Sequence, residues 1–309
     1  MVLRDNYGRP LLNLRVAITR RCNLRCQYCH LEGEQKPREN FAPEMTVDEI
    51  VRIVRIAVGL EISKVKLTGG EPLMRKDITE IVKGIGVIHG LADLSMTTNG
   101  TMFCSLAKEL CINGLKRVNI SLPTLNGEVY NKLSGGRLED VLEGVETAVE
   151  VGLYPVKLNM LILKGVNDDD VPEMITFARE TGTILQLIEL EPINISETYY
   201  LAHYKSLDEY DNTLRQGAVK VETRQYMQSR RIYHLPNATV EIVHPIENTD
   251  FCKRCTRLRV TSDGKLKPCL MRNDNLVDIL TPMRNGAKDQ ELMELFKLAN
   301  QKRRPYNKE

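Results

Sequence analysis

Three thiols stand within eight residues in Cys22-Asn23-Leu24-Arg25-Cys26-Gln27-Tyr28-Cys29, a C-x3-C-x2-C spacing. A loop that follows a strand can fold back and aim three sulfurs at one point. Thiolates select zinc, copper(I) or iron–sulfur clusters. A closed structural site takes four protein ligands, and the local count stops at three. A 4Fe–4S cluster held by three cysteines keeps one iron open for an exogenous ligand, much as catalytic zinc keeps a position open. The alternative is a zinc knuckle completed by a distant ligand such as His30.

A second triplet, Cys252, Cys255 and Cys269, has the spacing C-x2-C-x13-C. Spacing alone leaves a second open cluster and a zinc ribbon, completed by His244 or an aspartate, about even. Between these cysteines, Arg257-Leu258-Arg259 puts two guanidiniums on one face of an extended segment. Arginine suits bidentate phosphate recognition, although a solvated basic face is the commoner fate of such a pair. Gly69-Gly70-Glu71-Pro72 follows a short strand pattern. Without Cβ atoms its backbone can approach a ligand closely, and the adjacent carboxylate can accept from an ammonium. Cys104 and Cys111 lie seven apart in an apolar helical pattern and read as packing thiols.

The elements that must position these groups alternate. Strand patterns are expected near residues 12–18, 64–68, 93–98, 117–121, 155–163 and 184–190. Helical patterns follow, the first opened by the capping box Thr46-Val47-Asp48-Glu49 and others near 101–113, 138–151 and up to 180. Residues 32–43 read as a polar exposed loop. Alternation of this kind gives a parallel sheet with helical crossovers. The expected fold is α/β: a partial (β/α)6 barrel, with sites gathered at the C-terminal ends of its strands. From about residue 217 the rhythm changes to short antiparallel strands and a final helix near 288–302. The expected division is a barrel domain over 1–217 and a smaller α+β cluster-binding region over 218–309.

Composition sets the outer bounds. The chain has 309 residues, 42% hydrophobic and 27% charged, with a net charge of +2. Any basic patch must therefore be local. Aromatics make up 5% of residues and interleave with no basic run, which argues against nucleic acid as a partner. No apolar run approaches the ~18 residues of a membrane span, and the N-terminus lacks the apolar stretch of a signal peptide. The expected location is the cytoplasm, where grouped cysteines read as metal sites rather than disulfides.

The first triplet and the Gly-Gly-Glu-Pro turn resemble the signature of the radical S-adenosylmethionine (SAM) enzymes. The stretch from Asp250 to Leu270 resembles the C-terminal cluster region of the MoaA-type GTP 3′,8-cyclase family, which opens molybdenum cofactor synthesis. Residues 13–19, 66–73, 97–100, 118–122 and 156–159 match that family in the same order. The resemblance implies two 4Fe–4S clusters, one on Cys22, Cys26 and Cys29 and one on Cys252, Cys255 and Cys269. It implies SAM contacts at Tyr28, Gly70 and Ser121. It implies a GTP site at Arg15, Lys66, Thr97, Lys157, Arg257 and Arg259, mostly around the triphosphate. The implied reaction takes hydrogen from ribose C3′ with a deoxyadenosyl radical and joins C3′ to C8 of guanine. A reductant protein and a homodimer complete the implied partners. Three departures from the family pattern stand out: Lys66 replaces the usual Arg, Gln186 and Glu191 occupy places usually held by Arg and Met, and the terminus lacks a Gly-Gly pair.

Overall fold

The structure is a computed structural model that describes residues 2–34 and 44–307. Six strands run parallel in chain order: β1 (Asn13–Ala17), β2 (Lys64–Thr68), β3 (Asp93–Thr98), β4 (Arg117–Ser121), β5 (Val156–Leu161) and β6 (Ile184–Ile188). Crossover helices between them include α1 (Val47–Gly59), α2 (Ile78–Gly86), α3 (Ala107–Ile112), α4 (Gly127–Ser134), α5 (Leu138–Glu150) and α6 (Val171–Glu180). Their apolar faces cover one side of the sheet. Ile50, Ile53 and Val54 of α1 and Ile81, Val82 and Ile85 of α2 share a core with Val16, Leu67, Met96 and Ile120. The Thr46–Glu49 capping box forms as read.

The C-terminal part extends the same sheet at both ends. After α7 (Glu197–His203) and α8 (Asp208–Gly217) come β7 (Lys220–Arg224), β8 (Arg230–His234) and β9 (Thr239–Val243). β8 pairs antiparallel with both β7 and β9, and β9 also pairs parallel with β6. Beyond α9 (Thr249–Lys253), β10 (Arg257–Val260) pairs parallel with β1 at the opposite end. It continues into β11 (Lys265–Lys267) and β12 (Val277–Asp278), before α10 (Leu280–Arg284) and α11 (Asp289–Gln301). The 12-stranded order is β12-β11-β10-β1-β2-β3-β4-β5-β6-β9-β8-β7. The tip of the β7–β8 hairpin reaches back to the second cysteine segment: Gln228 N donates to Arg254 O at 3.1 Å and Thr256 Oγ1 to Tyr226 O at 2.8 Å.

Local differences from the sequence reading have local causes. Residues 101–106 form turns rather than the start of a helix. Asn99 Oδ1 accepts from Thr101 N and Oγ1, and Gly100 takes φ +83°, so the chain is already committed to a turn. Helix α4 was not expected, although Asn126 caps it by accepting from Glu128 N and Val129 N. Glu32, Gly33 and Glu34 are buried in a tight turn rather than exposed; the rest of that polar stretch, 35–43, lies outside the described residues.

Candidate active site

The first cysteine loop is fixed by backbone bonds from sequence-distant elements. Arg25 N donates to Ser134 O at 2.8 Å and Gln27 N to Leu133 O at 3.1 Å. On its other side lies the glycine turn, where Gly70 N donates to Thr19 O at 2.8 Å and Glu71 N to Arg21 O at 2.7 Å. A Cβ on Gly70 would sit 2.3 Å from Arg21 O, so only glycine permits this approach. Glu71 does not face a ligand as the sequence suggested. It is fully buried and accepts from Thr98 Oγ1, Asn99 N and Leu73 N. Burial pushes its carboxyl up to about 6, against those three donors. Its job is to clamp the ends of β2 and β3 together.

All fifteen residues singled out above line one cavity of about 340 Å³. The two cysteine triplets, Tyr28, Gly70 and Ser121 share it with Arg15, Lys66, Thr97, Lys157, Arg257 and Arg259. The eight cysteines are free thiols. Among the described residues, no three or more His, Cys, Asp or Glu side chains converge on a single metal-ion position. The two histidines weighed as zinc ligands are otherwise engaged. His30 Nδ1 accepts from Glu32 N at 3.0 Å, and His244 Nε2 lies 3.1 Å from Glu189 Oε1. Two sets of three thiols facing one cavity are a donor set that suits thiolate-ligated clusters. Cys111 packs against the core, whereas Cys104 Sγ meets Glu143 Oε1 at 3.2 Å.

Strand register gathers the cations. Arg15 lies between Arg259 on β10 and Lys66 on β2, in one row across three strands. Glu32 answers two of them, with Arg259 Nη1 on Oε2 and Arg15 Nη1 3.5 Å from Oε1, while Thr68 Oγ1 donates to Oε1 at 2.7 Å. Leu31 and Glu32 hold left-handed backbone (φ +50° and +52°) to aim that carboxylate inward, at about 1 kcal/mol or more apiece. Burial alone would raise the Glu32 carboxyl; Arg15 and Arg259 outweigh it and hold the group well below the usual range. Lys66 Nζ donates to Asn119 Oδ1 at 2.5 Å. Burial, then Arg15 and its other cationic neighbours, pull Lys66 well below its ordinary pKa, and burial with Arg230 and Arg15 does the same to Arg257. Burial lowers Arg15 to about 10 against the pull of Glu32. The Arg257 guanidinium has no ion-pair or hydrogen-bond partner among the described residues. A wall of buried cations with too few carboxylates is an anion site.

The sequence reading missed several residues of this cavity. Glu241, fully buried on β9 and not itself part of the lining, holds the lining residue Lys157. Arg224 and Arg230 come from the β7–β8 hairpin, and Arg304 and Tyr306 from the C-terminal tail. Arg303 beneath them is buried and donates to the carbonyls of Arg9 and Cys255. These positions belong to no motif; Glu241, Arg230 and Arg303 are marked only by burial of a charged side chain, and the others only by their place in the fold.

Parallel strands around a cavity that carries a three-cysteine loop at the end of β1 define a radical SAM core. The comparisons agree. Residues 16–178 match the Radical SAM superfamily and residues 183–309 match Molybdenum Cofactor Synthesis C. A probable GTP 3′,8-cyclase of Thermococcus kodakarensis is 50% identical, covering 99% of both chains, and one of Methanothermobacter thermautotrophicus is 44% identical with the same coverage. Among solved structures, Streptococcus suis SuiB bound to its precursor peptide SuiA superposes with a TM-score of 0.62 at 20% identity, over 84% of this chain and 60% of that one. The AdoMet-bound anSMEcpe gives 0.64 at 18%, over 94% and 82%; both likenesses concern the fold. The chain belongs to the radical SAM superfamily, in the family of these curated GTP 3′,8-cyclase relatives. It is an enzyme, and membership implies a 4Fe–4S cluster and SAM. No helix among the described residues is long and apolar enough to cross a membrane.

Proposed function

We propose that this enzyme converts GTP to 3′,8-cyclo-7,8-dihydro-GTP, the first step of molybdenum cofactor biosynthesis. The observation that carries the reading is the cavity: two three-thiol sets and an underneutralised cationic wall face the same space. In this reading Cys22, Cys26 and Cys29 hold the first 4Fe–4S cluster, and Cys252, Cys255 and Cys269 hold a second. The barrel region 1–217 binds SAM; the region 218–309 carries the second cluster and part of the substrate site. When bound and reduced, the first cluster with SAM supplies a carbon radical able to take hydrogen from ribose C3′.

The chain's own residues bind, orient and exclude water. The amides of Gly70 and Glu71 are spent on the cysteine loop, so the Gly70 carbonyl is the edge left to accept from the SAM ammonium. Tyr28, packed beside Leu133, Leu163 and Leu190, forms an apolar flank, and Ser121 offers a hydroxyl from the end of β4. Arg15, Lys66, Lys157, Arg257 and Arg259 meet the triphosphate, and its charge restores the protonated forms that burial disfavours. Thr97 completes that wall. Anchoring the triphosphate at one end holds C3′ and C8 in register, which substitutes binding for orientational entropy. A reductant protein supplies the electron, and the assembly is a homodimer.

Anaerobic protein reduced with SAM and GTP should release 5′-deoxyadenosine and methionine and form the cyclised nucleotide, with about eight irons per chain as two 4Fe–4S clusters require. SAM cleavage indifferent to GTP would sink the substrate assignment, and zinc without iron would sink the cluster assignment.

A further inference from the structure

One buried carboxylate carries three cations in this cavity. Glu241 Oε2 holds Lys157 Nζ, while Oε1 is shared by Arg224 Nη1 and Arg230 Nη1, each at 3.4 Å. Those two contacts are longer than the 2.7–2.9 Å of a tight charge-assisted bond. Glu241 is fully buried, and its single charge is divided among these three cations. Arg230 is itself more than nine-tenths buried, and its Nε has no partner. Its remaining bond runs from Nη2 to Gln228 Oε1 at 2.9 Å. Arg224 and Arg230 are paired across the hairpin, at the last residue of β7 and the first of β8. The turn that joins them contains left-handed Gln228 and Ser229 and is pinned to Arg254 and Thr256. The hairpin tip therefore cannot carry these arginines away from the cavity without breaking those bonds.

Buried charge is tolerated where it is paired. Here one carboxylate serves three cations, so two positive charges remain over. Arg230 also lies close enough to Arg15 and Arg257 to repel both. Its charge thus belongs to the same field as the wall that faces the nucleotide.

We infer that Arg224 and Arg230 of the β7–β8 hairpin are phosphate ligands of the nucleotide site, kept in place beside Glu241 until a polyphosphate arrives. The inference rests on the nucleotide reading above and extends it to two residues outside every motif. Lys157 stays on Glu241 through one N–H and offers another to the triphosphate; the two arginines turn their open N–H groups to further phosphate oxygens, for which the guanidinium fork is suited. The hairpin becomes the element that measures phosphate number, because its arginines have no role toward a bare nucleoside.

The test is binding of GTP and of guanosine to anaerobic, cluster-loaded protein by equilibrium dialysis. The variants are Arg224→Gln, Arg230→Gln and Arg230→Lys. Each glutamine variant should weaken GTP about tenfold, the scale of losing a charge-assisted bond, and change guanosine less than twofold. Arg230→Lys should recover part of the loss, since charge survives without the fork. Arg230 is buried, so Arg224→Gln, on a side chain 30% exposed, carries the test should Arg230→Gln not fold. GTP affinity within twofold of wild type in the glutamine variants, or equal losses for GTP and guanosine, overturns the inference while leaving the nucleotide reading intact. Wild-type protein that binds GTP no better than guanosine overturns both.

Discussion

The two cysteine triplets face one cavity but are built in opposite ways. The first is compact in sequence and is held by neutral backbone bonds to Leu133 and Ser134, with an apolar flank around Tyr28. Among the described residues no cation pairs with its thiols, and burial, with Cys29 and Cys22 adding to it, raises Cys26 to about 12. The second triplet is drawn from α9, the turn after it and the segment just beyond β11, and its surroundings are cationic. Arg9 Nη1 donates to Cys252 O at 2.8 Å, and burial of Cys255 is outweighed by Arg303 and Arg257, which lower its thiol. The contrast suits a division of labour. A neutral end fits radical generation, and a charged end fits a polyanionic substrate.

The sharpest way to break this comparison is to remove one thiol from each triplet. Cys26→Ala should lose about half the iron and abolish 5′-deoxyadenosine formation. Cys255→Ala should also lose about half the iron yet keep SAM cleavage, now without response to GTP. Iron content and product analysis check both; loss of SAM cleavage in both variants would mean the two ends do not act separately.

A smaller effect is expected from the hub that ties the two ends together. Glu32 follows the first triplet by three residues and pairs with Arg259 near the second. Glu32→Gln should destabilise the fold by about 3 kcal/mol near neutral pH, because the buried Arg259 and the partly buried Arg15 lose their partner. The sign with pH follows from the depressed carboxyl. Its contribution is full above the ordinary carboxyl value of 4.5 and is lost as pH falls from there toward the lower folded value. Wild type and variant should therefore converge in acid; urea unfolding at pH 7 and below 4 measures this, and a constant gap would remove Glu32 as the link.

The smallest effect belongs to the tail. Arg304 lines the cavity, but its side chain is 46% exposed and Nη2 pairs with Asp274 at 2.8 Å. Exposed pairs of this kind contribute about 0–1 kcal/mol. Arg304→Gln should change GTP affinity less than threefold; a larger loss would enlist the tail in the charged end.

Much of the site could be read in the chain because its chemistry is local. The C-x3-C-x2-C loop, the Gly-Gly pair and the Arg-x-Arg step each specify a donor set or a close backbone approach within a few residues, and the strands that carry them alternate regularly. Turns and caps were less legible: Asn99 committed the chain to a turn where helical spacing continued, and Asn126 opened a helix that periodicity did not announce. What only the tertiary structure decided is which charges share a buried space. Lys157 and Glu241 stand 84 residues apart, and Glu32 and Arg259 stand 227 apart. In sequence a lone glutamate or arginine is indistinguishable from a solvated surface charge. Burial is what makes it costly unless paired, and burial is set by strand register across the whole sheet. The pairing of β10 with β1 and of β9 with β6 brought the two ends of the chain around one cavity, and no local pattern encodes that meeting.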